Sequence, residues 1–237
     1  GKKVFIVVEK LDELALIEKV AGELGVRPNI GLRIKLVSAG QGRWSSSAGE
    51  HSKFGLNSIE LMEALEIAKD KNILDCVKLI HFHLGSQITN IRRIKDSLKE
   101  VGRFYSELMK FGCNIQYIDV GGGLGVDYDG SRSTFASSTN YSVQEYANDV
   151  VYHLLETCQA ENLPHPNIIS ESGRAMTAHH SILVVNVLDV TSFPEWSDQI
   201  EVPDDAPPVL KEIFHVLDST SNKNLIESWH DAVHLKD

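Results

Sequence analysis

The sequence predicts an α/β fold built on a parallel β-sheet. Short apolar runs rich in Val and Ile alternate along the chain with segments of helical periodicity, for example residues 4–9 followed by 11–25. The predicted strands are apolar on both faces, which is typical of strands buried within a parallel sheet. A doubly wound sheet and a (β/α)8 barrel both fit. No Gly-x-Gly-x-x-Gly opens a helix after the first strand, which weakens the doubly wound alternative.

The individual elements follow from local signals. The second helix can be capped by Asn57 or Ser58, and the first stops at Gly25. The polar stretches 37–55 and 121–140 are predicted loops. Strands are predicted at residues 4–9, 30–36, 77–84, 115–120, 167–172 and 181–190, and helices at residues 11–25, 57–70, 91–111 and 142–160. Because about 190 residues supply fewer strands than the eight of a full barrel, we predict a partial (β/α)8 barrel.

The end of the chain differs in kind from the rest. From residue 191 it is acidic and rich in proline, as expected of a linker, and helical periodicity returns at 209–219 and 222–235. We therefore expect a partial barrel over residues 1–190, and an acidic linker followed by a helical hairpin over residues 191–237. Three residues are candidates for the break or cap between its helices: Asp218, Ser219 and Ser221.

Composition and charge exclude several classes of protein. The chain is 42% hydrophobic and 24% charged, as in soluble globular proteins, and no apolar run approaches the ~20 residues of a membrane span. A net charge of -10 without a basic stripe argues against binding to nucleic acid or anionic lipid. Three cysteines without a Cys-x-x-Cys pair indicate a reducing, cytoplasmic location. Because no Met opens the sequence, we expect a piece of a longer chain.

Residues able to bind ligands or take part in catalysis lie near the C-terminal ends of the predicted strands. Barrel enzymes build their active sites at that end. Gly121, Gly122 and Gly123 end one strand; they can form a tight turn, or they can let backbone amides approach a phosphate. Glu171 lies at the C-terminal end of another strand and Arg174 follows that strand, and the two can pair with each other or bind a ligand.

The stretch HFHLGSQ, residues 81–87, holds two histidines on one face of a strand. A metal pair is conceivable, but no third ligand is evident, and we predict no metal site. The alternatives are two buried histidines with satisfied hydrogen bonds, or an imidazole stacked on a flat cofactor ring with Ser86 bonding its phosphate. Lys53, in SKFGL, can contact a phosphate, a carboxylate or a neighbouring subunit.

These motifs together resemble the fold-type III pyridoxal-phosphate decarboxylases, to which alanine racemase is distantly related. HFHLGSQ, DVGGGLG and ESGRA occur in the family's order, each at a strand end. SKFGL, NYSVQEYANDVV and the acidic PDDAP stretch extend the resemblance over essentially the whole chain, toward the bacterial biosynthetic arginine decarboxylases. The resemblance implies a partial barrel of the alanine-racemase type followed by the helical insertion of arginine decarboxylases.

The resemblance also implies a role for each matching residue. His83 would stack on the pyridine ring, and Glu171 would bind the ring nitrogen. The phosphate would be held by Ser86, by the amides of the three strand-end glycines and by Arg174, and Arg33 would lie near the ring.

The activity implied is decarboxylation of L-arginine to agmatine and CO2, as a step of polyamine biosynthesis, with pyridoxal 5'-phosphate as cofactor. Mg2+ is a candidate second cofactor, because the family often responds to it. Self-association as a dimer or tetramer is implied as well.

Two parts of the family pattern have no counterpart in this sequence. The Schiff-base lysine precedes everything matched here, and none of Lys2, Lys3 or Lys10 stands in its context. The Cys-Asp motif of the C-terminal domain is also missing. We therefore expect activity from the full-length protein and an inactive isolated chain.

Three alternatives stay open at this point. The first is a sister decarboxylase acting on diaminopimelate, ornithine or carboxynorspermidine. The second is a non-catalytic barrel that holds pyridoxal phosphate. The third is a phosphate-binding barrel of unrelated chemistry.

Overall fold

The computed structural model describes residues 2–39, 52–191 and 202–236. The chain divides into two compact units, Gly1–Ile182 and Leu183–Asp237. Parts of the predicted loop 37–55 and of the predicted linker after residue 191 lie outside the described residues. No helix in the described ranges is both long and apolar enough to cross a membrane.

The first unit is built around a five-stranded parallel sheet with the strand order β1-β2-β3-β4-β5. Every strand pairs with the next one along the chain, so the sheet never reverses direction. A doubly wound sheet reverses at its switch point, whereas a (β/α)8 barrel winds in one direction. The predicted parallel sheet and partial barrel are therefore confirmed. The strands are β1 (Ile6–Val8), β2 (Ile30–Arg33), β3 (Val77–His81), β4 (Tyr117–Gly122) and β5 (Asn167–Glu171).

Helices connect the strands close to the predicted positions. Asn57, rather than Ser58, caps the second helix: its side chain accepts from the amides of Ile59 and Glu60, and the Glu60 carboxylate accepts from the Asn57 amide. The third helix ends at Gly112, whose φ of 108° suits glycine. The helices are α1 (Leu11–Leu24), α2 (Ser58–Asp70), α3 (Ile91–Phe111), α4 (Val143–Glu161) and α5 (Gly173–Thr177), and short 3-10 turns occupy Val37–Ala39 and Leu74–Cys76.

One predicted strand is wrong. Residues 181–190 form no strand with any described residue, and their large side chains are exposed, Leu188 to 95% and Ile182 to 87%. A strand needs a hydrogen-bonded neighbour for its N–H and C=O groups, and the sheet formed by the described residues ends at β5. Strands β2 and β3 end before their predicted ends at residues 36 and 84, whereas β4 continues to Gly122, two residues past its predicted end.

The second unit holds two helices that pack against each other, α6 (Pro208–Ser219) and α7 (Leu225–Lys236). The turn between them is fixed by Asn224, whose Oδ1 accepts from the amide and the hydroxyl of Ser221, both at 2.7 Å. The two predicted helices are thus present, and Ser219 is the last residue of the first one.

The core of the first unit lies between the sheet and α2, α3 and α4. Gly102 lets α3 approach α4, because a Cβ at this position would lie 2.4 Å from the Thr157 hydroxyl. Tyr105 is fully buried on α3, and its hydroxyl donates to the carbonyl of Pro164 at 2.7 Å. This bond joins α3 to the loop that leads into β5, and burial raises the pKa of Tyr105 to about 12.

We expect Tyr105→Phe to lower the free energy of unfolding by about 0.5–1.5 kcal/mol at pH 8, because the hydrogen bond from the buried Tyr105 hydroxyl to the Pro164 carbonyl is lost. Above about pH 10 the unfolded tyrosine ionises before the folded one, so the wild-type chain loses stability and the difference should narrow. Urea unfolding at pH 8 and 10.5 measures both effects. Tyr152→Phe, at an exposed position, is the matched control, and an equal loss there would contradict the prediction.

Candidate functional site

The carboxyl ends of the parallel strands surround a cavity of about 440 Å³, within the ~300–1,000 Å³ typical of small-molecule sites. This is the end of the sheet at which the sequence predicted a site. The lining includes four of the predicted site residues and three others: Arg33, Phe54, His81, His83, Gly85, Ser86 and Glu171.

Strand register places several of these side chains at one level. Arg33 pairs with His81 across β2 and β3, and His81 pairs with Asp119 across β3 and β4. Glu171 pairs with Gly122 at the end of β5, after an irregularity in the β4–β5 register. The lining therefore comes from residues that are distant in sequence and adjacent across the sheet.

Arg33 is held at the edge of the cavity by two contacts that sequence reasoning missed. Its guanidinium pairs with the Glu9 carboxylate at the end of β1, and the guanidinium carbon lies 5.5 Å from the centre of the Phe54 ring. The Arg33 side chain is only 17% exposed. Glu9 is the last residue of the predicted strand 4–9, so a search for charged residues at strand ends could have found it.

His83 stands at the mouth of the cavity and is exposed. Burial of part of its ring, and then the positive charge of Arg33, lower the pKa of His83 below its usual 6.5. His81 lowers that pKa further, while Glu171 and Asp119 oppose the shift. The imidazole of His83 is consequently neutral near pH 7.

His81, which lines the cavity, forms a buried pair with Asp119. His81 Nδ1 lies 3.1 Å from Asp119 Oδ2, and the other carboxylate oxygen, Oδ1, accepts from the Gly121 amide at 2.9 Å. One nitrogen of His81 and one carboxylate oxygen from each of Asp119 and Glu171 lie within 4.8 Å of one another. Ligands bound 2.0–2.1 Å from Zn2+ in a tetrahedron stand only about 3.4 Å apart. The His81–Asp119 distance of 3.1 Å falls within this spacing, and Glu171 is the third polar group of a cluster that the sequence did not identify.

The three strand-end glycines are required by contacts within the chain itself. A Cβ at Gly121 would lie 2.2 Å from the Phe82 carbonyl oxygen, and one at Gly122 would lie 2.2 Å from the carbonyl oxygen of Glu171. At Gly123, where φ is +80°, it would lie 1.8 Å from the Gly85 carbonyl oxygen. The missing side chains thus let the segments after β3 and β5 pack against β4. Contact between these glycine amides and a phosphate stays a prediction.

The remaining candidates differ in position. Ser86 is exposed and lines the cavity. Arg174 is exposed on α5, is not among the lining residues, and forms no ion pair with Glu171 in the described part of the chain. The alternative of a mutual Glu171–Arg174 salt bridge is therefore not seen. Lys53 is exposed next to Phe54.

Comparison with known families identifies the class of protein. Residues 1–178 match the family model described as "Pyridoxal-dependent decarboxylase, pyridoxal binding domain". The chain belongs to this family. Residues 203–237 match a second model, described as "Arginine decarboxylase helical bundle domain".

Individual relatives narrow the comparison. The chain is 51% identical to a biosynthetic arginine decarboxylase of Bacteroides thetaiotaomicron over 100% of its length, and 49% identical to one of Aeromonas hydrophila over 98%. It spans only 38% and 37% of the lengths of these two curated relatives.

Solved structures agree in fold. The crystal structure of the biosynthetic arginine decarboxylase SpeA from Campylobacter jejuni matches with a TM-score of 0.66 at 37% identity, over 99% of this chain and 38% of that one. A diaminopimelate decarboxylase from Helicobacter pylori in complex with L-lysine matches with a TM-score of 0.58 at 28% identity, over 71% of this chain and 39% of that one.

The residues around the cavity fit pyridoxal phosphate chemically. The ligand has a flat ring, a protonatable ring nitrogen and a phosphate. The cavity offers a neutral imidazole at His83, a carboxylate at Glu171 and a hydroxyl at Ser86. The backbone at Gly123 adds a tight bend that no side chain could occupy.

We expect Gly123→Ala to destabilise the chain more than Gly130→Ala does, by about 1–3 kcal/mol, because only the former forces a Cβ against backbone. The two glycines have similar φ values, +80° and +75°, but a Cβ at Gly130 meets nothing within 4 Å. The comparison thus cancels the strain of the left-handed conformation, about 1–2 kcal/mol. Urea unfolding of both variants tests this, and equal losses would contradict it.

The His83 imidazole should titrate below 6.5 in the folded chain, measured by histidine NMR. Arg33→Gln should raise that midpoint by removing a nearby positive charge, whereas Arg33→Lys should leave it nearly unchanged. Because the unfolded chain takes up this proton first, the stability contributed by His83 is present above about pH 6.5 and is lost as the pH falls. If His83 titrates at the same midpoint in Arg33→Gln as in the wild type, the charge of Arg33 does not lower the His83 pKa, and the prediction is wrong.

Proposed function

We propose that this chain is the cofactor-binding part of a longer pyridoxal-phosphate-dependent enzyme that decarboxylates L-arginine to agmatine and CO2. The observation that carries the proposal is the similarity to biosynthetic arginine decarboxylases over the whole of this chain, which includes the helical segment 203–237. The H. pylori diaminopimelate decarboxylase covers only 71% of the chain. The geometry supports the same reading, because Arg33, His83, Ser86 and Glu171 line one cavity.

The chemistry that pyridoxal phosphate supplies when bound is an acceptor for the electron pair left behind as CO2 departs. In the proposed arrangement Glu171 accepts a hydrogen bond from the protonated ring nitrogen and holds that proton in place. His83 covers one face of the ring as a neutral imidazole, so it adds no positive charge beside the pyridinium.

The phosphate is assigned to Ser86 and to the strand-end amides of Gly122 and Gly123, with Arg174 as a further contact. The Gly121 amide already donates to Asp119, so Gly121 contributes mainly through its backbone conformation. Arg33 lies near the ring with its charge balanced by Glu9. These roles rest on the donor set and on the resemblance of the motifs.

The lysine that forms the covalent link to the cofactor is assigned to a part of the protein outside this sequence. Lys3 is engaged elsewhere, since its ammonium donates to the Tyr117 hydroxyl at 2.9 Å. Tyr117 begins β4, so this contact lies at the opposite end of the sheet from the cavity. An isolated chain of these 237 residues is accordingly expected to be inactive.

The wider features of the proposal concern the whole protein. We place the division between the barrel and the helical insertion near residue 190, and the whole enzyme in the cytoplasm as a dimer or tetramer. Mg2+ is proposed only as a candidate second cofactor of the whole enzyme, because members of the family it resembles often respond to it.

In the full-length protein we expect Glu171→Gln to lower kcat for L-arginine about 100-fold, because the ring nitrogen loses its anionic partner. CO2 release and agmatine formation are the measurements. Glu161→Gln is the matched control, since Glu161 pairs with Lys110 outside the cavity. Diaminopimelate and ornithine are assayed in parallel. Preferred turnover of either would replace arginine as the substrate, and bound pyridoxal phosphate without any turnover would indicate a non-catalytic barrel.

A further inference from the structure

The His81–Asp119 pair is the most deeply buried group of ionisable side chains near the cavity. His81 is 8% exposed and Asp119 is 7% exposed. The His81 nitrogen Nδ1 is shielded from solvent and has no aligned hydrogen-bond partner in the described residues, although Asp119 Oδ2 lies 3.1 Å away. Burying ionisable side chains costs free energy unless they are paired. This pair is therefore a candidate for a functional role.

Asp119 connects this pair to the backbone of the site. Its Oδ1 accepts from the Gly121 amide, two residues ahead, and so fixes a turn in which Gly121 has a φ of +66°. That turn sets the direction of the chain at Gly122, which packs against the backbone of Glu171. A change at Asp119 would therefore move the strand end against which Glu171 rests.

His81 connects the same pair to the Glu171 side chain. One nitrogen of His81 and one carboxylate oxygen from each of Asp119 and Glu171 lie within 4.8 Å of one another, and among the described residues Asp119 is the carboxylate within ion-pairing distance of His81. The guanidinium of Arg33 flanks the cavity from β2, and its charge is already met by Glu9. The imidazole of His81 consequently links Asp119 to the neighbourhood of the Glu171 carboxylate.

We propose that His81 and Asp119 form a positioning pair that fixes the Gly121 turn and aims the Glu171 carboxylate at the ring nitrogen of the cofactor. The proposal rests on the function proposed above. Asp119 anchors both the turn and the imidazole, and the imidazole orients the Glu171 carboxylate from within 4.8 Å. Neither residue touches the reacting atoms.

The test measures binding of pyridoxal phosphate to the full-length protein after its cofactor has been removed, by absorbance titration. His81→Leu and Asp119→Asn should each raise the Kd about tenfold or more, because a buried partner is left unpaired. His81→Asn places an amide nitrogen close to the position of Nδ1 and should recover most of the affinity. The absorbance spectrum of the bound cofactor should shift in His81→Leu and return in His81→Asn.

Asp149→Asn is the matched control. Asp149 is a mostly buried carboxylate, 16% exposed, that pairs with Lys95 at 3.3 Å on the outer helices. The Asp149→Asn variant should have a lower free energy of unfolding than the wild type and an unchanged Kd for pyridoxal phosphate. A Kd raised as much in Asp149→Asn as in Asp119→Asn would overturn the proposal by showing a general loss of stability. Wild-type affinity and spectrum in folded His81→Leu would overturn it as well. If His81→Leu does not fold, the Kd of Asp119→Asn decides in the same way.

A double-mutant cycle tests whether the effect passes through Glu171. In the Glu171→Gln background, His81→Leu should raise the Kd by less than half of the factor seen in wild type. If His81→Leu raises the Kd by the same factor in the wild-type and Glu171→Gln proteins, the effect of His81 does not pass through Glu171, and that part of the proposal is overturned. Failure of the wild-type protein to bind pyridoxal phosphate at all would instead refute the proposed function, so the two failures are distinguishable.

Discussion

Close backbone packing at the carboxyl end of β4 is the constraint on which the site depends. Gly121, Gly122 and Gly123 bring this strand end against the carbonyls of Phe82, Glu171 and Gly85 at distances that no Cβ would allow. The segments that leave β3 and β5 are thereby drawn against β4. The residues they carry, His83 and Glu171 among them, then meet around one cavity instead of diverging into solvent.

The charges around the cavity are arranged in separate pairs. Arg33 is matched by Glu9 on one side, and Asp119 is matched by His81 and the Gly121 amide beneath. This leaves Glu171 as the carboxylate facing the cavity without an ion-pair partner among the described residues. Such an acid can accept a proton-bearing nitrogen from a ligand at little cost, because no existing salt bridge has to be broken.

The sequence predicted residues at or near the carboxyl ends of strands, and it did so for a physical reason. Carboxyl ends of parallel strands meet at one edge, so Arg33, His83 and Glu171 had to approach one another once the strands were recognised. The Glu9–Arg33 and His81–Asp119 pairs depend on which residues face each other across the sheet. That register shifts at Ile30 and again after Asp119, and periodicity along one strand carries no information about it. The predicted strand 181–190 failed similarly, because apolar composition does not specify a neighbour.

The glycines show how a correct location can have more than one cause. The sequence suggested that their missing side chains leave room for a phosphate, whereas the structure fills that room with neighbouring backbone. The two causes are compatible, since close packing is what orients the strand-end amides and prevents them from turning away. Asp119 belongs to both, because one of its oxygens shapes the turn and the other faces the imidazole that flanks Glu171. Fold and site are therefore not separable here, and any substitution at this strand end acts on both together.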